Sequence, residues 1–183
     1  MGPLGKFAFF KGIFQGAPFR SAKRGSKSVS NGYHFSDFDY WLAGLIDGDG
    51  SLIVNNNYNK KSQMFTTVLS FELTLDRKDI KTLHYIKQTL GFGNIQARSN
   101  CKAYRIRTAA KDNIIDIVQR VNPPREARGP SGKLLTSSKQ VQLKAFCHHL
   151  NITPVIPKDS DSLKIIHNTA WFSGFLMRKV ILQ

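Results

Sequence analysis

The sequence predicts an α+β fold in which one antiparallel sheet carries helices on a single face and leaves the other face open. Three observations predict it. Segments of period-two polarity alternate with helical segments in the order helix, two strands, helix, two strands, helix. Each strand segment puts apolar residues on one side and polar or basic residues on the other, so only one sheet face needs a cover. The chain has 183 residues, 41% of them hydrophobic, enough for one domain with its own core.

The elements run in order from residue 37. Ser36 or Asp37 suits an N-cap, and Tyr40-Trp41-Leu42-Ala43-Gly44-Leu45-Ile46 is an apolar helical run that stops at Gly48 and Gly50. Residues 51–57 suggest a strand. Residues 64–75 give the clearest alternation: Phe65, Thr67, Leu69, Phe71, Leu73 and Leu75 point one way, and Thr66, Val68, Ser70, Glu72 and Thr74 the other. A long loop, Asn55 to Gln63, is expected to join the two as a hairpin. Asp76 then caps a helix through Leu90, with Ile80, Leu83, Ile86 and Leu90 on its apolar side and GFG (91–93) ending it. Two short strands, 94–99 and 103–108, put Ile95, Ala97, Tyr104 and Ile106 inward and Gln96, Arg98, Arg105 and Arg107 outward. A helix over 111–121, a break at 123–132, a helix over 138–150, a proline-punctuated linker over 151–168 and a terminal helix over 169–182 complete the chain.

Charge narrows the function classes. Lys and Arg number 27 against 12 acids, for a net charge of +15, which points to a polyanionic partner, most often nucleic acid. An open sheet face carrying Asn, Gln, Lys and Arg suits a DNA major groove. No segment approaches the roughly 20 apolar residues of a transmembrane helix, so no membrane is expected. Cys101 and Cys147 form neither a disulfide framework nor a metal knuckle, and the five histidines lack metal-ligand spacing with them. The His148-His149 pair is expected on or beside the apolar face of its helix. Residues 1–36 carry Lys6, Lys11, Arg20, Lys23, Arg24 and Lys27 but no acid, and Gly2, Gly5, Gly12 and Gly16 work against a stable helix. They read as a disordered basic extension: an organelle transit peptide, a flexible arm, or coding left from an upstream reading frame.

Residues 42–50, LAGLIDGDG, carry a resemblance. They are similar to the signature of the LAGLIDADG homing endonucleases, with Gly48 in place of alanine, and the surrounding αββαββ order, the GFG and the later Lys-Gln helix are similar to that family too. The similarity spans about residues 37–176. The resemblance implies an αββαββα domain over 37–150 with a saddle-shaped antiparallel DNA-binding sheet, followed by a linker and second motif helix over 151–183. It implies an intron-encoded endonuclease that hydrolyses phosphodiester bonds of double-stranded DNA. Asp49 would hold a divalent metal, Mg²⁺, assisted by the carbonyl of Gly48, and Lys139 would polarise water or phosphate. Asp47 is expected to hydrogen-bond backbone at the helix end. Leu75 stands where many members place a polar residue, a departure that weakens the solvent network. By strand phase the DNA-facing set comprises Ile53, Asn55 and Asn57, then Thr66, Val68, Ser70 and Glu72, then Gln96, Arg98, Arg105 and Arg107, with Lys60, Lys61 and Gln63 at the hairpin tip. The alternatives are an RNA maturase acting on its host intron and a non-catalytic fragment. The resemblance places the protein in the mitochondrion, with the chloroplast as alternative.

WFSGFLMRKV (171–180) repeats WLAGLIDGDG (41–50). Alignment sets Ser173 on Ala43 and Gly174 on Gly44, and the small residues suit two closely packed helices. It also sets Met177 on Asp47 and Lys179 on Asp49. This looks like the first half of a two-motif enzyme whose frame changes or ends inside the second motif. The terminal helix is expected to dock on the 41–47 helix of its own chain and bury Trp171, Phe172 and Phe175, giving a monomer; the alternative is a homodimer.

Overall fold

The computed structural model describes residues 36–60, 63–99, 101–123 and 132–177. The first helix, α1 (Asp37–Asp49), starts on a capping box. The Ser36 hydroxyl accepts from Asp39 N at 3.3 Å, while the Asp39 carboxylate accepts from Ser36 N at 3.2 Å. The rest of the expected N-terminal extension lies outside the described residues.

Strand β1 (Gly50–Asn59) leaves α1 directly and pairs with β2 (Met64–Asp76). Both strands run further than the sequence suggests, so the hairpin loop is short, not the expected nine-residue span. Cross-strand pairing continues past the core to Tyr58↔Phe65 and Asn59↔Met64, and satisfies backbone groups that polar side chains alone would not locate. Asp76 caps a 3₁₀ turn, Arg77–Asp79, by accepting from Lys78 N at 2.9 Å, and α2 (Ile80–Leu90) comes next. Gly91 ends α2 at φ 79°, in the left-handed region that favours glycine. Strands β3 (Asn94–Ala97) and β4 (Ala103–Thr108) and helix α3 (Lys111–Val121) complete the αββαββα unit.

The sheet order is β1-β2-β4-β3, all antiparallel, with β2 and β4 central. Register sorts the side chains, because directly opposed residues share a face. Leu52↔Phe71, Leu73↔Ile106 and Ile106↔Ile95 fall on the helix side, where Phe71, Leu73, Leu75 and Ile106 pack with Leu42, Leu45 and Ile46 of α1, Leu83 and Ile86 of α2, and Ile114 and Ile117 of α3. Ala97 shares that side but is exposed on an edge strand.

Beyond α3, residues 132–136 lead into α4 (Ser137–Leu150). The expected linker contains a helix, α5 (Asp159–Asn168), with Asp159 and Asp161 in its first turn and Ile165 buried. The prolines at 154 and 157 lie before it and set its start rather than break it. The terminal helix is shorter than expected within the described residues: α6 (Trp171–Leu176). His148 and His149 are both exposed on α4, whose buried side is Leu143, Phe146 and Cys147. Neither histidine is part of that stripe, but His149 lies beside it, lining a cavity with Leu69, Ile114 and Leu150.

Candidate nucleic-acid interface and catalytic edge

Helix α6 packs on α1, joined by the two motif copies. A Cβ added at Gly44 would lie 1.9 Å from the Trp171 carbonyl oxygen, and one at Gly174 would lie 2.0 Å from the Trp41 carbonyl oxygen. The reciprocity makes the pair a local two-fold, with Trp41 matching Trp171 and Leu45 matching Phe175. Ala43 is fully buried, and Ser173 donates its hydroxyl to the Ala170 carbonyl at 2.7 Å. Trp171 is buried and Phe175 half-buried, stacked with ring centroids 5.0 Å apart. Phe172 is 46% exposed, against the expectation. Its counterpart Leu42 is fully buried because a sheet covers that side of α1.

The two acids of the first motif occupy different settings. Asp47 is buried and accepts four hydrogen bonds: from Leu135 N at 2.7 Å, Thr136 N at 3.2 Å, the Thr136 hydroxyl at 2.7 Å and the Trp171 indole N–H at 3.1 Å. Its backbone partners come from the residues before α4, not from its own helix end. Burial pushes its carboxyl above the usual carboxylate range, against the pull of those donors. Asp49 is half-buried and is the last residue of α1.

Because Asp47 holds residues 135 and 136, the start of α4 lies against the end of α1. Lys139 there donates its ammonium to the Gly50 carbonyl, one residue past Asp49. The neighbouring glutamines are structural. Gln140 donates to the carbonyls of Leu134 and Leu135 at 3.1 and 3.3 Å, and Gln142 accepts from Leu52 N at 3.0 Å. The end of α1, with Gly48 and Asp49 just before Gly50, therefore lies beside the start of α4 and the Lys139 ammonium.

Hard oxygen donors of this kind suit Mg²⁺. Among the described residues no group of three His, Cys, Asp or Glu side chains could hold a metal. The second motif supplies Met177 at the Asp47 position, and Lys179, outside the described residues, aligns with Asp49.

Register places Asn55, Asn57, Thr66, Ser70, Gln96, Arg105 and Arg107 on the sheet face opposite the helices. Asn57 opposes Thr66, Ser70 opposes Ile53, Arg105 opposes Gln96 and Arg107 opposes Glu72. Arg98 lies just past β3 and is exposed, with its backbone N–H bonded to the Ala103 carbonyl at 3.0 Å. Lys60 and Gln63 lie exposed at the hairpin tip, and Lys61 lies outside the described residues. One member of the expected set fails. Ser70 is fully buried, and its hydroxyl has no hydrogen-bond partner among the described residues. Its short side chain lies between Val68 and Glu72 along the strand and opposite Ile53, below the reach of a ligand. The face is less basic than the sequence implies, since Glu72 pairs with Arg105 at 3.4 Å and Arg107 at 3.1 Å.

A buried polar cluster behind α1 had no signal in the sequence. Arg120 bridges Asp39 at 2.8 Å and Asp116 at 2.7 Å, while Lys133, fully buried, sits 4.0 Å from Asp39 and 4.6 Å above the Tyr40 ring. Burial, reinforced by Arg120 and opposed by Asp39, lowers the Lys133 ammonium to about 8. Packing against α1 and α3 encloses this lysine, which follows a Gly- and Pro-rich stretch that reads as exposed.

A sequence model described as LAGLIDADG endonuclease matches residues 42–124. The chain belongs to the LAGLIDADG endonuclease family. It is 34% identical over 138 residues to the intron-encoded RNA maturase bI4 of Saccharomyces cerevisiae, covering 75% of this chain and 18% of that protein. It is 28% identical over 187 residues to a probable intron-encoded endonuclease 4 of Neurospora crassa, covering 96% of this chain and 30% of the relative. The chain thus spans less than a third of the length of these curated relatives. In fold it resembles the crystal structure of the homing endonuclease I-TnaI, with a TM-score of 0.50 at 20% identity, covering 62% of this chain and 71% of that one. The LAGLIDADG helix here is α1, and the family's four-stranded antiparallel sheet is β1-β2-β4-β3. Among the described residues no helix is long and apolar enough to cross a membrane.

Proposed function

We propose that this chain is the DNA-binding and catalytic half of an intron-encoded, site-specific endonuclease, with one acid-bearing centre instead of two. The observation that carries this reading is the register. It sets Asn55, Asn57, Thr66, Gln96, Arg105 and Arg107 on one open face, and the first strand of that face begins beside Asp49 and Lys139. Amide side chains on such a face can read adenine edges and guanidinium groups guanine edges, while Lys60, Lys61, Gln63 and Arg98 suit phosphates or distal bases. Asp49, with the Gly48 carbonyl, would hold Mg²⁺, which when bound activates water and stabilises the leaving oxygen. Lys139 would polarise the water or the phosphate, its ammonium already positioned by α4. Ala43, Gly44, Ser173 and Gly174 serve as the helix interface that fixes this edge.

Met177 and Lys179 bring no carboxylate to the second side. The reading is therefore salt-sensitive duplex binding with little or no double-strand cleavage by this chain alone. The docked α6 also occupies the α1 surface that a homodimer would need, which favours a monomer. The fungal intron-encoded relatives support the mitochondrion as its compartment.

The test is incubation of the purified chain with intronless host DNA and Mg²⁺, resolved on a gel, beside Asp49→Asn. Any cleavage is expected to vanish in the variant while binding stays equal or tightens, because a carboxylate beside a phosphate is removed. Efficient double-strand cutting by the intact chain, or unchanged cutting by the variant, would overturn the assignment. A second reading, assistance to splicing of the host intron RNA, is favoured by the 34% identity to an RNA maturase. Splicing rescue that survives Asp49→Asn would select it.

A further inference from the structure

We infer that the helix-side face carries a second site, for a single-stranded polynucleotide, distinct from the open sheet face. Tyr58 and Phe65 are direct cross-strand partners near the hairpin tip, with ring centroids 5.0 Å apart. They lie on the side the helices cover elsewhere, yet they are 51% and 73% exposed because the hairpin runs past the helices. Two residues inward, the Thr67 hydroxyl donates to the Asn56 side-chain oxygen at 2.9 Å. Two residues further, Leu69 opens into a cavity of about 340 Å³ between β2, the start of α3 and the end of α4. Ala109, Lys111, Ile114, His149 and Leu150 also line it, and none of its lining residues is an acid.

The order of groups carries the inference. Phe65, Thr67 and Leu69 are in line on one face and span about 13 Å, the length of a few nucleotides. A pair of exposed aromatic rings, tilted 50° to each other, comes first, then an amide and a hydroxyl, then a pocket of ligand size edged by the exposed Lys111 and His149. Exposed Lys144 and His148, one turn apart on α4, extend the basic side. Proteins that hold single strands combine aromatic platforms with a basic groove, because unpaired bases offer free faces that a duplex keeps stacked. An apolar protein partner would use the aromatics but would not call for the cations. Lys111 in the lining and Lys144 beside it have the same sign as the chain's +15, so charge complementarity selects a polyanion.

The test uses the full chain, labelled RNA and DNA single strands of about 12 nucleotides, and an unlabelled duplex competitor. Fluorescence anisotropy is expected to show single-strand binding that the duplex does not displace. Phe65→Ser and Lys111→Glu should each weaken it about fivefold or more while leaving duplex affinity unchanged. Both side chains are exposed, so the fold should tolerate the changes, and the competition arm needs no variant. Tighter binding of RNA than of DNA would assign the ligand to RNA through its 2′-hydroxyls, and equal binding would assign recognition to stacking and phosphate; both support the site. Displacement by duplex, indifference to both variants, or absence of single-strand binding would overturn it. Failure there leaves the duplex reading intact, which stands on Arg105, Arg107 and Asp49.

Discussion

Trp171 lends its indole N–H to Asp47 at 3.1 Å, tying the second motif helix to the residue that also holds the start of α4. The local two-fold is broken at this point. The position matching Asp47 is Met177, which offers Trp41 no carboxylate, and Trp41 packs instead near Phe38 and Tyr85 at centroid distances of 5.9 and 6.0 Å. One acid thereby organises three segments, and the same segments present Asp49 and Lys139.

Asp47→Asn should destabilise the fold by about 1–3 kcal/mol, since one side-chain oxygen becomes an N–H₂ facing backbone or indole donors. Thermal denaturation followed by tryptophan fluorescence would read both the loss and the changed environment of Trp171. A variant as stable as the parent would remove Asp47 from this role.

Gly44→Ala should cost about 3 kcal/mol, because the added methyl meets the Trp171 backbone carbonyl and no side chain can move aside. Gly174→Ala should behave alike. The double variant should lose clearly less than the sum, since the first methyl already parts the helices. Additive losses in chemical denaturation would mean the two glycines do not share one contact.

Glu72→Gln should tighten duplex binding and steepen its salt dependence by about one unit of log–log slope, because Arg105 and Arg107 lose a carboxylate that competes with phosphate. Titration at several salt concentrations checks this. Weaker binding by the variant would show that Glu72 orients the two arginines rather than masks them.

Lys133 gives a pH prediction. Its ammonium titrates at about 8 in the fold and near its ordinary 10.5 when unfolded, so the unfolded chain binds the proton more tightly. The native state should therefore gain stability from this group as pH rises from about 8 to 10.5, and lose that gain as pH falls back through about 8. Lys133→Met should remove this dependence and equal or exceed the parent in stability at pH 7. Melting curves of both proteins across that range decide it; parallel curves would mean Lys133 keeps its charge throughout.

Much of the fold was legible because alternation and capping are local. Phe65 to Leu75 declared their face, Ser36 and Asp76 their caps, and the LAGLIDGDG run its helix. The strand phase found Asn55, Asn57, Thr66, Gln96, Arg105 and Arg107 because period two is a property of the backbone. Side-chain depth is not, so Ser70 was misjudged. Helix α5 was hidden behind Pro154 and Pro157, which mark a boundary but carry no information about the element beyond it.

The sequence by itself determined the family, the order of elements, the polarity of the sheet and the two small-residue helices that meet. Only the tertiary structure decided where each acid sits. Asp47 and Asp49 are two residues apart and chemically alike, yet one is turned into the packing between α1, α4 and α6, while the other ends α1 half-buried beside β1. That difference depends on Leu135, Thr136 and Trp171, which arrive from 88 to 124 residues away. Contacts so distant in the chain leave no periodic trace in it, and the same is true of the lysine buried at 133 and of Glu72 between its two arginines.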